Sequence, residues 1–381
     1  MVQAHDEQGT FEGAGVEGAG LGRRQFLQRG AVTAAGLAVL GSGGLSTVLN
    51  GLTASPAGAA TKADYGDINF QLSWVKNVEF AGSYIADTKG LYKKEGFSKV
   101  TLLSGGPNVQ QDAVVQSGKA FACISAPDIT SSAILQGASL ITVGAQYQKN
   151  PFCVMSLKKS PIKTPDDMIG KKIGVQATNE AVWNAFLKAN DIDPSKIDKV
   201  PVQFDPSPLA QGQVDGWFSF FTNEPNTLKL QGVPNTYFLL ADYNYPLVSE
   251  TYVVKTDTLD SDRDKLKAFL RAEIQGWQAN LKNPVLGATL AAKKYGKDQK
   301  LTVKEQTLES KDENTVILTS ETATNGLFTI TDELVQENID TLGIAGIDIT
   351  AEKLFDTSVI NEVYEENPEL KTSPVNPTTP S

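Results

Sequence analysis

Short apolar runs alternate with amphipathic stretches along most of this chain. Ile68–Leu72 alternates apolar and polar side chains with the two-residue period of a strand. Residues 80–89 place their apolar side chains on one helical face, and Gly90 follows where that helix would end. The same order repeats, with further strands predicted at 100–103, 121–125 and 140–145 and helices at 109–117 and 127–136. Repeated strand–helix units predict a mainly parallel sheet covered by helices on both faces.

A second set of strand–helix units follows residue 157. The apolar strand 152–157 precedes the polar run Lys158–Pro161, which predicts a first crossing into a second lobe. Thr251–Val254 predicts the return crossing, after which a long helix at 259–281 begins a mainly helical segment. We therefore predict an α/β fold with two lobes and two hinge crossings, ordered as lobe one (60–157), lobe two (158–250), the rest of lobe one (251–367) and a disordered polar tail (368–381).

Two α/β lobes joined by two crossings enclose a cleft. Ligands favour the carboxyl ends of parallel strands, so the residues that directly follow each predicted strand are the candidates for a site. The pattern alone indicates either a two-lobed binding protein or a two-lobed enzyme.

The first 59 residues carry the features of an export signal. Arg23 and Arg24 are followed by Phe-Leu, by an uncharged and mildly apolar run at 30–49, and by Ala57-Gly58-Ala59. This order predicts a twin-arginine signal peptide at 1–59. Glycines and hydroxyl side chains dilute the apolar run, so a transmembrane anchor is the weaker interpretation. We expect a protein exported to the periplasm or the outer face of the cytoplasmic membrane, without membrane insertion after signal removal.

The charge balance argues against nucleic acid as a partner. The formal net charge is −10, from 34 Lys and Arg against 44 Asp and Glu. Four acids and three bases fall within residues 1–59, so the remainder carries −40 + 31 = −9. An acidic surface without a basic run repels phosphate backbones.

Histidine and cysteine are scarce, and their scarcity excludes several chemistries. The single His is His5, inside the predicted leader, so the folded region has no His for metal ligation or general base catalysis. Cys123 and Cys153 lack the CxxC spacing of zinc or thioredoxin-like sites. They are either two small buried side chains or a single disulfide formed in an oxidising compartment. We expect neither a metal site nor a cofactor.

Six segments of the chain resemble the substrate-binding proteins of one group of nutrient importers. The superfamily includes binders of thiamine pyrimidine precursors, riboflavin, nitrate and alkanesulfonates, and also the fungal pyrimidine-precursor synthases. The segments that carry the resemblance are Leu72–Ala86, Lys89–Phe97, Ser117–Ala120, Asp167–Val175, Gln213–Gly216 and Leu354–Asp356. The resemblance covers about residues 67–365 and implies the type II periplasmic-binding-protein fold.

The resemblance also implies a function, but it does not identify the solute. It implies a monomeric, non-enzymatic receptor that takes a small-molecule ligand to an ABC permease and its ATPase. A synthase-like enzyme is the less favoured reading, because such enzymes depend on a His and on clustered Cys residues that the folded region lacks. A sensory role for the same two-lobed module also stays open. The chain departs from the family at Lys76, Phe80, Phe121 and Cys123, and these departures leave the choice of ligand undecided.

Candidate ligand-binding residues follow the predicted strands or match the family segments. An indole offers a flat face to a ring, a carboxamide reads donors and acceptors, and glycines expose backbone N–H groups. In lobe one the candidates are Trp74, Asn77, Tyr84, Gly105, Gly106, Ser125, Asp128 and Tyr147. In lobe two they are Thr178, Asn179, Trp183, Trp217, Asn223 and Glu224.

This set of side chains favours a planar, hydrogen-bonding ring as the ligand. Glu224 can bind an amino-bearing ring through charge-assisted hydrogen bonds, although a carboxylate at a helix start also stabilises the helix. Sulfonate and nitrate usually require Arg, and beyond the leader the chain has only Arg263 and Arg271, both in the late helix. We expect a thiamine pyrimidine precursor-like or riboflavin-like nutrient, with nitrate, a sulfonate or another small organic solute as the alternative.

Overall fold

In a computed structural model that describes residues 63–373 and 375–377, the strands form two five-stranded sheets. The predicted signal peptide lies outside the described residues. The strands are β1 (Gly66–Gln71), β2 (Phe97–Leu103), β3 (Ala122–Ser125), β4 (Leu140–Tyr147), β5 (Phe152–Leu157), β6 (Lys172–Gln176), β7 (Asp198–Val202), β8 (Gly216–Phe220), β9 (Asn235–Leu239) and β10 (Ser249–Lys255).

Both sheets have the same topology. The first lobe contains the sheet β2-β1-β3-β10-β4, and the second lobe contains β7-β6-β8-β5-β9. β1 runs parallel to β2 and β3, and β6 runs parallel to β7 and β8. β10 is antiparallel to both of its neighbours, and so is β5. Each sheet therefore has one reversed strand, the first strand after the chain arrives from the other sheet. The predicted α/β fold with two lobes and two crossings is confirmed.

The first crossing lies earlier than the predicted boundary at residue 157. Phe152–Leu157 pairs with β8 and β9, so this strand belongs to the second sheet and the chain crosses at residues 148–151. The strand is buried along its whole length. An apolar run of this kind fits the middle of either sheet, so its sequence does not indicate which one it joins. The return crossing ends before Ser249, where β10 begins.

Helices cover both sheets, and the helices predicted at 80–89, 109–117 and 127–136 are present at 81–88, 111–116 and 127–135. The predicted helix 259–281 is two helices, Thr258–Ser261 and Arg263–Lys282, because the chain breaks at Asp262. No helix within residues 63–373 is both long enough and apolar enough to cross a membrane. The α-helices are α1 (Ala81–Thr88), α2 (Leu91–Glu95), α3 (Gln111–Gln116), α4 (Pro127–Leu135), α5 (Glu180–Ala189), α6 (Ser207–Ala210), α7 (Glu224–Leu230), α8 (Thr258–Ser261), α9 (Arg263–Lys282), α10 (Pro284–Leu290), α11 (Val303–Ile317), α12 (Ser320–Asn325), α13 (Asp332–Ile344), α14 (Ala351–Leu354) and α15 (Ser358–Glu366).

The segment after β10 packs on both lobes, not on the first lobe alone as predicted. Phe328 pairs with Ala145 of β4 in the first lobe. Leu342 of α13 belongs to the hydrophobic core of the second lobe, and Asn338 Oδ1 accepts a hydrogen bond from the backbone N–H of Val248. The expected tail at 368–381 starts with a short 3₁₀ helix at Pro368–Lys371. Within residues 368–373, the carbonyls of Leu370 and Thr372 accept hydrogen bonds from Gln278.

A buried carboxyl group holds together the core of the first lobe. Glu273 on α9 accepts hydrogen bonds from the hydroxyls of Ser83, Tyr92 and Tyr252, which come from α1, α2 and β10. Burial raises the pKa of Glu273 to about 7, although the three hydroxyl donors oppose that shift. The folded protein therefore binds a proton at this position more readily than the unfolded chain does.

Glu273→Gln should change how the stability of the protein depends on pH. The raised pKa of Glu273 contributes stability that is fully present below pH 4.5 and is lost as the pH rises to about 7. The free energy of unfolding of the unmodified protein should therefore fall by about 3 kcal/mol over this range relative to the Gln variant, which does not titrate. Chemical denaturation at several pH values measures the difference. A difference that stays constant with pH would contradict the assignment.

Candidate functional site

A cavity lies between the two lobes, at the strand ends that face one another. Protein atoms leave about 520 Å³ of space empty there, including the open mouth. Residues after β1, β3, β6 and β8 line it, as expected from the carboxyl ends of parallel strands. Predicted site residues that line this cavity are Trp74, Ser125, Thr178, Asn179, Asn223 and Glu224.

The two reversed strands contribute their amino-terminal ends to the same cavity. Because β5 and β10 run against their neighbours, their first residues lie beside the last residues of the parallel strands. Phe152 pairs with Phe220, and Ser249 pairs with Tyr147. Phe152, Ser249 and Glu250 therefore line the cavity. Glu250 has a φ of 47°, a left-handed backbone conformation that side-chain-bearing residues seldom adopt.

Aromatic rings form much of the apolar lining. Phe152 and Phe218 stack with centroids 4.8 Å apart, and Phe220 meets Phe152 edge to face at 4.6 Å. Trp74, which is 8% exposed, lines the first-lobe side of the cavity. Flat rings on both sides suit a planar ligand.

Other predicted aromatic residues lie in the hydrophobic cores, away from the cavity. Tyr84 stacks on Tyr295 with centroids 4.2 Å apart. Trp183 packs edge to face on Phe218 from inside the second lobe. Trp217 precedes Phe218 on β8 and points to the opposite face of the sheet, because side chains alternate along a strand. Tyr147 is fully buried at the end of β4.

The remaining predicted residues stabilise local structure. Asn77 caps a 3₁₀ turn by accepting from the backbone N–H of Glu79, and it donates to Glu309 at 2.8 Å. Asp128 accepts hydrogen bonds from Tyr245 Oη at 2.6 Å and from the backbone N–H of Ile129.

The glycine loop after β2 supports the chain around Trp74 instead of lining the cavity. The backbone N–H of Gly105 donates to the carbonyl of Trp74 at 2.9 Å. A Cβ at Gly105 would lie 2.4 Å from the Leu72 carbonyl oxygen, so this close approach requires glycine. The adjacent Gly106 has a φ of 151° and also lies outside the cavity lining.

The structure has no disulfide between the two cysteines. Cys123 is on β3 of the first sheet and Cys153 is on β5 of the second, and both thiols are buried and free. Cys153 Sγ lies 3.2 Å from Ser219 Oγ. Of the two alternatives that the sequence left open, the structure therefore has two small buried side chains.

Two glutamates form a hydrogen-bonded pair on the first-lobe side of the cavity. Ser73 Oγ donates to Glu79 Oε1 at 3.0 Å and lies 3.0 Å from Glu250 Oε2. Both carboxyl groups therefore lie within hydrogen-bonding distance of one hydroxyl, and two carboxyl groups this close do not ionise independently. Burial raises the pKa of Glu79 to about 7, and burial together with the charge of Glu79 raises the pKa of Glu250 well above its usual value.

A third carboxyl group faces these two from the second lobe. Glu224 begins α7, is 4% exposed and lines the cavity. Its Oε2 atom has no hydrogen-bond partner. Burial raises the pKa of Glu224 to about 8, and the charge of Glu79 acts in the same direction. A buried carboxyl oxygen without a partner is ready to accept a hydrogen bond from a ligand.

The electrostatic surroundings of the cavity are acidic. Among the described residues that line it there is no Lys, Arg or His. Arg263 and Arg271 pair with Glu362 and Glu95, respectively, on the helical side of the first lobe. Within residues 63–373, no cluster of His, Cys, Asp and Glu has the arrangement of a metal site.

The lobes touch on the far side of the cavity from the crossings. Thr178, after β6, donates from its backbone N–H to the carbonyl of Pro107 at 2.9 Å and from Oγ1 to the carbonyl of Val109 at 3.0 Å. Pro107 and Val109 follow β2, at the edge of the first sheet. The structure therefore has a closed cleft with Thr178 at its rim.

Sequence reasoning missed Glu79 and Glu250, the pair on the first lobe. Glu79 lies inside a segment that resembles the family, yet its position in a short 3₁₀ turn gives no periodic signal. Glu250 precedes the apolar run Tyr252–Val254. An isolated acid at the start of a buried strand is the one sequence signal that could have identified it as a site residue.

The chain matches one family of known proteins and two curated relatives. A family described as NMT1/THI5 like matches residues 77–286, more than half of the 381 residues. The riboflavin-binding protein RibY of Chloroflexus aurantiacus is 27% identical over 245 residues, which cover 61% of this chain and 67% of RibY. A Haemophilus influenzae protein assigned by name to thiamine biosynthesis is 26% identical over 209 residues, which cover 54% of this chain and 66% of that protein.

Solved structures share the fold. A ligand-binding component of an ABC-type import system from Staphylococcus aureus has a TM-score of 0.58 at 12% identity, covering 78% of this chain and 99% of that chain. The periplasmic nitrate-binding protein NrtA from Synechocystis PCC 6803 has a TM-score of 0.57 at 14% identity, covering 82% of this chain and 92% of that chain. The predicted resemblance to this superfamily is confirmed.

Thr178→Val should shift the lobes towards an open cleft. The change removes the hydrogen bond from Oγ1 to Val109 and keeps the size of the side chain. One hydrogen bond contributes about 1 kcal/mol, so the ratio of closed to open molecules should fall about fivefold. Distances between spin labels on cysteines introduced at the exposed Ser104 and Asn184 measure that ratio. Thr236→Val in β9 is the matched control, and an equal shift in both variants would contradict a role for Thr178 in closure.

Proposed function

The chain belongs to the NMT1/THI5-like family, and we propose that it is the solute-binding receptor of an ABC importer for an amino-bearing heteroaromatic nutrient. The observation that carries the proposal is Glu224, a buried carboxyl group with an unpartnered oxygen in a cavity lined by aromatic rings. The receptor closes its two lobes on the solute and presents it to a permease and its ATPase. Its action is binding and release, without chemical change of the solute.

An aminopyrimidine matches the chemistry of this cavity. Its ring fits against Trp74 and the phenylalanine faces, and base-like rings gain about 1–3 kcal/mol from such stacking. Its exocyclic amine and adjacent protonated ring nitrogen donate two parallel hydrogen bonds, which one carboxylate accepts. We expect Glu224 to accept them, because its Oε2 atom is buried without a partner. Thiamine pyrimidine precursors are ligands of this class.

A riboflavin-like ring is the second candidate. The carboxamides of Gln111, Gln176, Asn179 and Asn223 line the cavity, and such groups can pair with the donors and acceptors of a neutral ring. The relative RibY carries riboflavin binding in its name. Nitrate and sulfonates are less favoured, because the described cavity lining offers them carboxyl groups and no cation.

Glu224→Gln should weaken the binding of 4-amino-5-hydroxymethyl-2-methylpyrimidine. The substitution keeps the size of the side chain, removes its ability to ionise when an amino-bearing ring binds, and replaces one acceptor by a donor. Hydrogen bonds to charged groups contribute about 1.5–3 kcal/mol, and the binding free energy should fall by that amount. Titration calorimetry measures the loss.

Glu180→Gln is the matched control for this experiment. Glu180 also begins a helix of the second lobe, but it is exposed and pairs with Lys199 outside the cavity. Its substitution should leave the affinity unchanged. Full affinity of the Glu224 variant for the aminopyrimidine would overturn amine recognition. If the unmodified protein binds riboflavin and does not bind the aminopyrimidine, the second candidate is favoured.

We further propose that the twin-arginine route exports the protein. The paired arginines Arg23 and Arg24 are read by a receptor, so replacing both with Lys should retain the charge and abolish export. The amount of protein outside the cytoplasmic membrane, measured by fractionation and immunoblotting, tests this expectation. Export at the normal level would assign the protein to the general secretory route.

A further inference from the structure

Carboxyl groups line both walls of the cavity, and the ring-binding carboxyl Glu224 accounts for only one wall. The Glu79–Glu250 pair lines the opposite wall, on the first lobe. Both side chains are 3% exposed, and Ser73 is the hydroxyl donor that they share. No Lys, Arg or His among the described lining residues balances the charge of this pair.

Two further observations indicate that a ligand group belongs at this wall. Ser249 Oγ is buried, lines the cavity beside Glu250 and has no hydrogen-bond partner. Glu250 itself has a left-handed backbone conformation that directs a strand residue into the cleft. The unpartnered Ser249 hydroxyl and the neighbouring Glu250 carboxyl therefore form a polar wall, and a buried polar atom without a partner is costly.

The charge of the wall is close to one negative unit. Glu79 and Glu250 both lie within hydrogen-bonding distance of the Ser73 hydroxyl, and two carboxyl groups this close ionise one at a time, so the pair offers one carboxylate to the cavity. Behind Glu79, α11 adds two further buried carboxyl groups, Glu309 and Glu313, and burial raises the pKa of both. A buried carboxylate is stabilised by a cation that donates hydrogen bonds to it, and much less by a neutral hydroxyl.

We infer that the solute is a diamine: a planar ring whose ring-borne amine binds Glu224 and whose second, cationic amine on a short side arm binds the Glu79–Glu250 pair. This inference rests on the proposed function and names the class of solute more narrowly. A ring with a hydroxyl on the arm can bind Glu224, but it brings no cation to the Glu79–Glu250 pair. The Glu79–Glu250 pair should therefore select a ring with an amine on the arm over a ring with a hydroxyl there.

The test compares two probes that differ in one group. These are 4-amino-2-methylpyrimidine with a 5-aminomethyl arm and the same ring with a 5-hydroxymethyl arm. The aminomethyl probe should bind at least about tenfold more tightly at pH 7.5, since charged hydrogen-bonding pairs are about twice as strong as neutral ones. Calorimetry gives the ratio of the two affinities on the same protein sample.

Four variants test whether the Glu79–Glu250 pair is the source of the preference. The double variant Glu79→Gln/Glu250→Gln removes all charge from the pair and should bring the ratio to within about twofold. Either single variant should keep most of the preference, because a carboxamide takes the place of the protonated member and leaves the other carboxylate. Glu224→Gln should weaken both probes by the same factor. The ratio is internal to each sample, so it does not depend on the folded fraction of a variant.

The outcomes separate this inference from the proposed function. Equal affinity of the unmodified protein for both probes overturns the diamine inference and leaves the receptor proposal standing. A preference that survives in the double variant also overturns it, because the selecting group is then elsewhere. Binding of neither probe overturns the aminopyrimidine receptor itself, and with it the inference.

Discussion

The chain must cross between two sheets twice, and this constraint shapes both the fold and the cavity. Each crossing delivers a strand that runs against its neighbours, β5 in the second lobe and β10 in the first. The parallel strands bring their carboxyl ends to the cleft, and the reversed strands bring their amino ends to the same place. The cavity is therefore lined from both kinds of strand end. Glu250 faces the solute space because β10 begins there.

Much of the architecture follows from patterns that the sequence displays. Alternating strand and helix periods predict two α/β lobes, and the rule for carboxyl ends of parallel strands finds Trp74, Ser125 and Glu224. That rule does not apply to reversed strands, so Glu250 was missed. Periodicity also shows that an aromatic residue is buried without showing where, which is why Trp183 and Trp217 were predicted in the site and lie in the cores. Strand partnership depends on tertiary packing, and so the first crossing was placed too late.

The acidic groups of the cavity are costly to bury. Glu79, Glu224 and Glu250 are buried, and their pKa values are raised because water is excluded from them. A core built for stability alone would give each such group its own hydrogen-bond donors or replace it with an apolar residue. Glu273 is the contrasting case, since three hydroxyl donors satisfy it within the first lobe. The difference in partners separates a structural carboxyl from the carboxyls of the site.

The order of the strands sets how far each part of the cleft can travel. Both crossings lie on the side of β4, β5, β9 and β10, whereas β2 and β7 are the opposite edges of the sheets. For a rotation about the crossings, Phe152 and Glu250 are near the axis and move little, while Thr178 and Pro107 at the rim have the longest lever arms. Such a rotation opens the rim of the cleft more than its floor. A hinge with this geometry lets a solute contact the floor before the rim closes over it. Recognition at the floor then precedes enclosure by the rim.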